Sequence, residues 1–297
     1  MKVLALFASL ALSAATMSSA FQATHSPRRP VRAQQLQSTE SPTDVASSPM
    51  NRPDRVVPET LPTLYVYDHC PFCVRVRFAF GLKNIKHNLH FLANDDVETP
   101  TALIGKKMAP IMKFGDLVMP ESMDIIDFID QDERFGPTGF IKPATGRTDL
   151  KEWQKGVRDL LRGLQRPRYV ATGLLPEFQQ LDARHAFVMN HQLPGYEKAD
   201  WKLKPLEEQL TEYAELMAND PAGDVEELNR QLVALDDILY SKDHCSEGGL
   251  SFDDIDLFSR LRSITIIDGV QWPSKLRAYM DNFAELGDIP LYDEMAL

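Results

Sequence analysis

Cysteine is scarce in this chain, with three among 297 residues. Three thiols exclude a disulfide framework, because one is always left over. A structural zinc site usually takes four ligands in two close pairs. Only Cys70 and Cys73 form such a pair, whereas Cys245 stands alone and the seven histidines show no ligand spacing. We therefore predict no metal site.

Basic residues are also fewer than acidic residues. The chain has 32 Lys and Arg against 43 Asp and Glu, a formal net charge of -11, and residues 1–39 hold four of the basic residues and no acid. The remainder is therefore more acidic still and has no basic stripe, which argues against a nucleic-acid partner. No Asn begins an N-x-Ser/Thr acceptor, which weakly disfavours a secreted glycoprotein.

The first twenty residues have the pattern of a signal peptide. Lys2 lies near the start, an apolar run extends from Val3 to Ala15, and the small residues Ser18 and Ala20 precede a plausible cleavage point. The run is too short for a membrane span. We therefore predict that residues 1–20 are removed.

The next segment, residues 21–39, is rich in Ser, Thr, Pro and Arg and has no acid, as is typical of organelle transit peptides. Joined to a signal peptide, it resembles the two-part plastid leader of algae with secondary plastids. We predict a plastid protein, and the alternative is a secreted protein with a disordered pro-segment. Residues 40 to 60 contain four prolines and few apolar residues, which predicts a linker.

From Thr63 onward the pattern is that of a folded domain. Short β-branched and aromatic runs predict strands, and apolar residues at helical spacing, such as Met123, Ile126 and Ile129, predict helices. The segments in order are strand LPTLYVYD, helix PFCVRVRFAFGLKN, strand HNLHFLA, helix DDVETPTALIG, hairpin APIMKFGDLVMP and helix ESMDIIDFIDQDERF. The order βαβ-α-ββα predicts a thioredoxin-like α/β fold.

After a connection rich in Pro and Gly, the pattern becomes helical. Long stretches such as TDLKEWQKGVRDLLRGL place apolar residues at spacings of three and four, and no convincing strand is visible. Ser251 and Asp254 have the spacing of a capping box, and Leu250 and Ile255 that of a hydrophobic staple. We interpret Asp254 as a structural cap and predict an all-α second domain.

The stretch DHCPFC places Cys70 at the amino end of the first predicted helix and Cys73 one turn further on. Unpaired backbone N–H groups and the helix dipole favour a thiolate at this end. A permanent disulfide across so short a loop would stabilise the fold weakly, so we favour a nucleophile with a resolving thiol. His69 and Arg75 are candidates to add positive potential, although Arg75 and Arg77 also fit a solvated helix face.

Two further stretches narrow the chemistry. Pro110 precedes a predicted strand, and in thioredoxin-like folds this proline is cis and presents the backbone of Ala109 to a peptide ligand. Ser122, at the start of the helix after the hairpin, forms a carboxylate site with the free amides there, and Glu121 can meet an ammonium. An amine and a carboxylate beside a thiol describe the γ-glutamyl end of glutathione. Ordinary helix capping is the alternative for Glu121 and Ser122.

The sequence closely resembles the glutaredoxin 2 family, the large bacterial glutaredoxins, in YDHCPFCVRVRFAFGLKNI, NDDVETPTALIGKKMAPI, MPESMDIIDFID and LSFDDIDLFSRLRSITIIDGVQWPSKLRAYMDN. The resemblance runs from Thr63 to the carboxyl terminus. It implies an α/β N-terminal thioredoxin-like domain plus an all-α glutathione-transferase-like C-terminal domain. The expected divisions are signal peptide 1–20, transit-like segment and linker 21–60, thioredoxin-like domain 61–133, linker 134–147 and helical domain 148–297.

The resemblance also implies a site and an activity. Cys70 is the expected nucleophile and Cys73 its partner, and the residues expected to hold glutathione are Ala109, Pro110, Glu121 and Ser122. The expected activity is that of a glutathione-dependent thiol-disulfide oxidoreductase, which reduces protein-glutathione mixed disulfides and, by a second route, protein disulfides. Glutathione is then a co-substrate, and the partners are glutathionylated or disulfide-bonded proteins. We expect a monomer without stable membrane insertion.

The sequence departs from the family in its leader, in Phe72 where Tyr is usual, and in added residues around 134–147. Glutaredoxins with iron–sulfur clusters usually carry C-G-F-S, so Pro71 disfavours a cluster. Cys245 is interpreted as a loop thiol without a role, and glutathionylation of it is the alternative.

Two rival functions use the same architecture. A glutathione transferase or dehydroascorbate reductase is one, and the second cysteine at position 73 counts against it. The other is a redox-sensitive interaction protein similar to the chloride intracellular channel proteins, which can carry C-P-F at the site. No segment after the leader is long and apolar enough to span a bilayer easily, which disfavours this second rival.

Overall fold

The computed structural model describes residues 52–220 and 223–297. The predicted signal peptide and the transit-like stretch therefore lie outside the described residues. Those residues belong to one compact unit, in which an α/β part precedes a part built from helices.

A four-stranded mixed sheet forms the first part. Its strands are β1 Thr63–Val66, β2 Asn88–Phe91, β3 Ile111–Phe114 and β4 Leu117–Pro120, in the order β2-β1-β3-β4. β1 runs parallel to β2 and antiparallel to β3, which pairs with β4 as the predicted hairpin. Gly115 turns this hairpin with a φ of 60°, a conformation that glycine adopts without steric cost.

Ten α-helices occur in the described part of the chain. Three belong to the α/β part: α1 Pro71–Leu82, α2 Glu98–Ile104 and α3 Ser122–Gln131. The others are α4 Thr148–Gly156, α5 Arg158–Thr172, α6 Leu181–Asn190, α7 Leu206–Asn219, α8 Asp224–Ile238, α9 Phe252–Leu261 and α10 Ser274–Gly287. No strand follows β4 within the described residues, so the predicted fold class is confirmed.

Helix α1 is the centre of the core. It contacts α3 on one side and α9 and α10 on the other, and the Phe78 ring lies 4.4 Å from the ring centroid of Phe258 and 5.3 Å from that of Phe283. A Cβ added to Gly81 would lie 1.7 Å from the carbonyl oxygen of Gly287, so α1 and α10 need glycine at this close approach. The α/β and helical parts therefore share one core.

The predicted capping box is confirmed at the start of α9. The Asp254 carboxylate accepts from the Ser251 N–H at 3.0 Å and from the Cys245 N–H at 2.7 Å. Cys245 itself is fully buried, and burial raises the pKa of its thiol. Asp254 is therefore structural. The buried Cys245 thiol is not accessible, which counts against its glutathionylation.

The helix predicted after the hairpin is α3, which buries Ile126 and Ile129 together with Ile125, while Met123 is 41% exposed. The helical stretch that begins at Thr148 is divided at Val157 into α4 and α5.

The segment 134–147, predicted to be a linker, is fixed to its surroundings. The Asp130 carboxylate accepts from the Lys83 ammonium at 2.9 Å and from the backbone N–H groups of Phe140 and Ile141 at 3.2 Å. Phe135 is fully buried in the core. Among the helices described, none is long and apolar enough to cross a membrane.

Candidate functional site

Cys70 occupies the N-cap position of α1, between the end of β1 and Pro71 at the first helical position. Its backbone is extended, with φ -75° and ψ 120°, and its carbonyl accepts from the Val74 N–H at 2.9 Å. Cys70 is partly exposed, whereas Cys73 is fully buried, and both are free thiols. This is the order of exposure that a nucleophile and a resolving thiol require.

The two thiols have opposite tendencies to ionise. A hydrogen bond from the Cys73 thiol, the positive charge of His69 and the backbone N–H groups of Phe72 and Cys73 outweigh the cost of burial and lower the pKa of Cys70 to about 6. Burial, followed by the neighbouring Cys70, raises the pKa of Cys73. At neutral pH the pair therefore carries one thiolate, on the accessible sulfur.

A buried glutamate from the helical part contacts the residue before the nucleophile. The Glu177 Oε1 atom accepts from the His69 backbone N–H at 2.8 Å and lies 2.5 Å from His69 Nδ1. Burial disfavours the charged imidazole, but the hydrogen bond and charge of Glu177 outweigh it and raise the pKa of His69. Glu177 therefore favours the positively charged form of His69 beside Cys70. The sequence analysis identified His69 but missed Glu177.

Asp68 forms the centre of a second buried ionic contact. Its carboxylate accepts from the Arg77 guanidinium, from Arg262 Nη2 at 3.1 Å and from the Tyr292 hydroxyl at 2.7 Å. Burial alone would raise the pKa of Asp68, but the charges of Arg262 and Arg77 lower it to about 2. The sequence analysis missed this role of Asp68, Arg262 and Tyr292.

The arginines of α1 do not form a solvated helix face, so that alternative is wrong. Arg75 is 9% exposed and Arg77 is 6% exposed. The Arg75 guanidinium pairs with Asp256 on α9 and lies 4.7 Å from the centroid of the Phe72 ring. Arg75 is covered by α9, which carries Asp256, whereas Arg77 lies two residues on, on a different face of α1, and pairs with Asp68.

The residues predicted to hold glutathione lie at one end of the sheet. Ile111 pairs with Tyr65 of β1 and with Pro120 of β4, so the residues before Ile111 and after Pro120 meet beyond the end of β1, where Cys70 follows. The peptide bond between Ala109 and Pro110 is cis. The fold therefore brings Ala109 and Pro110 to the sheet edge from which the Cys70 loop departs.

Glu121 and Ser122 reach the same edge from β4. Glu121 has a φ of 71° and a ψ of 122°, an unfavourable conformation for a residue with a side chain that is found mostly at functional sites. Its exposed side chain makes no capping hydrogen bond, so helix capping does not explain it, while Ser122 is buried at the start of α3. The pair thus offers a carboxylate and a helix N-terminus at this end of the sheet.

A cleft of about 370 Å³ opens beside Cys70. His69, Cys70, Pro71 and Phe72 form part of its wall, and the rest comes from α4, α5, α6 and α9 and from three residues next to these helices: Val157, His191 and Ser263. None of the four residues predicted to hold glutathione lines it. Cys70 therefore has two different neighbourhoods, a sheet edge and an interhelical cleft.

No group of three or more His, Cys, Asp or Glu in residues 52–220 and 223–297 is arranged to hold a metal ion.

Comparison with known proteins places these features in context. Residues 149–296 match the family described as "Glutaredoxin 2, C terminal domain", and residues 64–137 match "Glutathione S-transferase, N-terminal domain". Glutaredoxin 2 of Escherichia coli K12 is 39% identical over 236 residues, which cover 79% of this chain and 99% of that protein. Glutathione S-transferase U14 of Arabidopsis thaliana is 29% identical over 94 residues, covering 30% of this chain and 39% of that protein.

One solved structure extends the comparison. Glutaredoxin 2 from Salmonella typhimurium in complex with glutathione superposes with a TM-score of 0.67 and 34% sequence identity, covering 80% of this chain and 100% of that one.

Proposed function

The chain belongs to the glutaredoxin 2 family, and from this premise we propose that it is a glutathione-dependent oxidoreductase that reduces protein-glutathione mixed disulfides through Cys70. The observation that carries the proposal is the N-terminal thiol of α1, whose pKa is about 6, beside a buried thiol. A thiolate is the nucleophile in disulfide exchange, and a thiol that titrates near ambient pH balances ionisation against nucleophilicity.

In the proposed main route, the Cys70 thiolate attacks the glutathione sulfur of the mixed disulfide. The bond between that sulfur and the protein sulfur breaks, and the protein leaves as a thiolate that takes a proton from water. Cys70 is left as a mixed disulfide with glutathione. A second glutathione, as its thiolate, then attacks this bond, releases Cys70 as a thiolate and leaves as glutathione disulfide.

In the second route the substrate is a protein disulfide. Cys70 forms a mixed disulfide with one substrate sulfur, and Cys73 then attacks Cys70 to release the substrate. Cys73 starts as a thiol, because burial raises its pKa, so its proton must leave before it attacks. The Cys70–Cys73 disulfide left by this step is then reduced by two glutathione molecules, which leave as glutathione disulfide.

Glutathione is proposed to bind at the sheet edge. Glu121 would meet the α-ammonium of the γ-glutamyl group, while Ser122 and the free N–H groups of α3 would meet its carboxylate. The partly exposed backbone of Ala109, beside Pro110, would pair with the peptide part of glutathione.

Plastid localisation is likewise proposed from the leader sequence alone, and a fluorescent fusion of residues 1–60 would test it.

Turnover of a small mixed disulfide of glutathione, coupled to the oxidation of NADPH by glutathione reductase, tests the proposal. We expect activity in the unchanged protein, loss of it in Cys70→Ser, and retention of it in Cys73→Ser, because the main route uses one cysteine. Absence of turnover in the unchanged protein would refute the proposal, and retention in Cys70→Ser would refute the role of Cys70.

A further inference from the structure

The cleft beside Cys70 has an unusual charge for this chain. Acidic residues outnumber basic ones by 43 to 32 in the whole sequence, yet the cleft is lined by Arg158, Arg162, Arg166 and Arg260 and by no Asp or Glu. Three of these arginines are spaced four residues apart on α5, which places them along one face of the helix.

The arginines of α5 are only partly neutralised. Arg158 and Arg162 share a single carboxylate, that of Asp159, at 3.1 Å each. Arg166 donates to the backbone oxygen of Gln192 at 2.5 Å, and no carboxylate among the described residues pairs with it. Three guanidinium groups therefore face one carboxylate.

The same imbalance occurs on the α9 side. Arg260 lies 3.1 Å from the Asp256 carboxylate, which also pairs with Arg75. The rim thus keeps an excess of positive charge on both sides, and a low-dielectric cleft strengthens its attraction for anions.

The floor of the cleft is apolar. Its large side chains are Trp153, Val157, Leu161, Tyr169 and Phe187, all nearly buried. At its wall the Gln165 Nε2 atom is buried without a hydrogen-bond partner. A buried amide without a partner is costly, and a peptide carbonyl or carboxylate in the cleft would satisfy it.

We propose that this arginine-rimmed cleft binds the polypeptide segment around the disulfide of a protein substrate, and that it selects segments carrying Asp or Glu beside the cysteine. The inference rests on the proposed function, because it names the substrate class of the same thiol. In the proposed binding mode glutathione lies at the sheet edge, whose residues do not line the cleft, so the protein attached to glutathione can enter the cleft that Cys70 also lines.

Two synthetic glutathionylated peptides of equal length test the proposal, one with Glu and one with Lys on either side of the cysteine. We expect kcat/KM for the Glu peptide to exceed that for the Lys peptide by about tenfold at low salt, because the field of the cleft raises the local concentration of an anionic substrate. Added salt should shrink this ratio, since the rim arginines are exposed to solvent.

The double variant Arg158→Gln, Arg162→Gln should bring the ratio to about twofold or less, since exposed charges each contribute modestly. Both side chains are about half exposed, so the fold should tolerate the change. The matched control is Arg230→Gln on α8, an exposed arginine paired with Glu226 and Glu227, which should leave the ratio unchanged.

The outcomes separate the two proposals. Equal kcat/KM for the two peptides, or a ratio that the double variant does not change, would overturn the docking proposal while leaving the oxidoreductase proposal intact. A higher KM for glutathione in the double variant, with the peptide ratio unchanged, would assign the cleft to glutathione instead. Absence of turnover with both peptides and with a small mixed disulfide would refute the proposed function itself.

Discussion

Two consecutive residues before the nucleophile, Asp68 and His69, make buried ionic contacts with the helical part, and the two contacts differ. The Asp68 carboxylate meets two guanidinium groups and a hydroxyl. The Glu177 carboxylate that meets His69 uses only Oε1, and its Oε2 atom is buried without a partner. Both oxygen atoms of the Asp68 carboxylate therefore have partners, whereas only one oxygen of the Glu177 carboxylate does.

The difference indicates that the two contacts have separate roles. A buried charge is tolerated when its hydrogen-bonding capacity is met, so the contact of Asp68 with Arg262 and Tyr292 serves to hold the helical part against the α/β part. The contact of His69 with Glu177 leaves an acceptor unused, but it keeps a positive charge beside Cys70. The first contact should therefore dominate stability, and the second should dominate the ionisation of the nucleophile.

The largest loss of stability is expected from Arg262→Met. The change leaves the buried Asp68 carboxylate without one of its two cations, and breaking a buried pair costs about 3–5 kcal/mol. Urea unfolding measures the loss, and Arg230→Met, at an exposed pair on α8, is the control. A loss below about 1 kcal/mol would show that Asp68 does not hold the two parts together.

Acid should weaken the Asp68 contact selectively. The folded-state pKa of Asp68, about 2, lies below its ordinary value of 3.8. Its stabilisation is therefore present above pH 4 and lost as the pH falls toward 2, a change of about 2 kcal/mol in the free energy of unfolding. The raised pKa of His69 has the opposite sign, with stabilisation present below 6.5 and lost as the pH rises through the raised value.

Urea unfolding between pH 2 and pH 5, on the unchanged protein and on Asp68→Asn, measures this dependence. The variant should lose the acid-dependent part of the curve. Identical pH dependence in both proteins would assign the acid sensitivity to other carboxylates.

A smaller loss is expected from Tyr292→Phe. The change removes a hydroxyl that donates to Asp68 Oδ2 at 2.7 Å and keeps the ring over the Arg262 guanidinium. We expect a loss of about 1–2 kcal/mol, since the carboxylate keeps its two cations. Thermal unfolding checks it, with Tyr240→Phe at a half-exposed ring as the control. If the loss equalled that of Arg262→Met, the hydroxyl and the Arg262 guanidinium would not contribute separately to the stability that the Asp68 contact provides.

The smallest change in stability, and the clearest change in reactivity, is expected from Glu177→Gln. The amide keeps the size of the side chain but removes the negative charge that raises the pKa of His69. Loss of the imidazolium should raise the pKa of Cys70 and slow its alkylation by iodoacetamide at pH 6 about fivefold, the scale of one lost charge near a thiol. An unchanged rate would contradict the assigned role of His69.

Patterns among residues close together in sequence were sufficient to predict much of the fold and the position of Cys70 in the site. The βαβ unit, the hairpin at Gly115 and the position of Cys70 at the start of α1 depend on residues close together in sequence. The approach of Pro110 and Glu121 to the same end of the sheet then follows from the strand register.

Long-range partners could not be predicted in this way. Glu177 is 108 residues from His69, and Arg262 is 194 residues from Asp68, so no spacing signals either pair. Arg75 and Arg77 were compatible with a solvated face because a single helix normally has one. Arg75 is instead covered by α9, and Arg77 is buried in its pairing with Asp68.

The proposed mechanism depends most on the ionisation of Cys70. The direct measurement is the pH dependence of Cys70 alkylation in the reduced protein, followed by mass spectrometry of the labelled peptide. We predict a midpoint near pH 6 and a higher midpoint in Cys73→Ala, which lacks a side-chain donor to the Cys70 sulfur. A midpoint near 9, the ordinary value for cysteine, would contradict it.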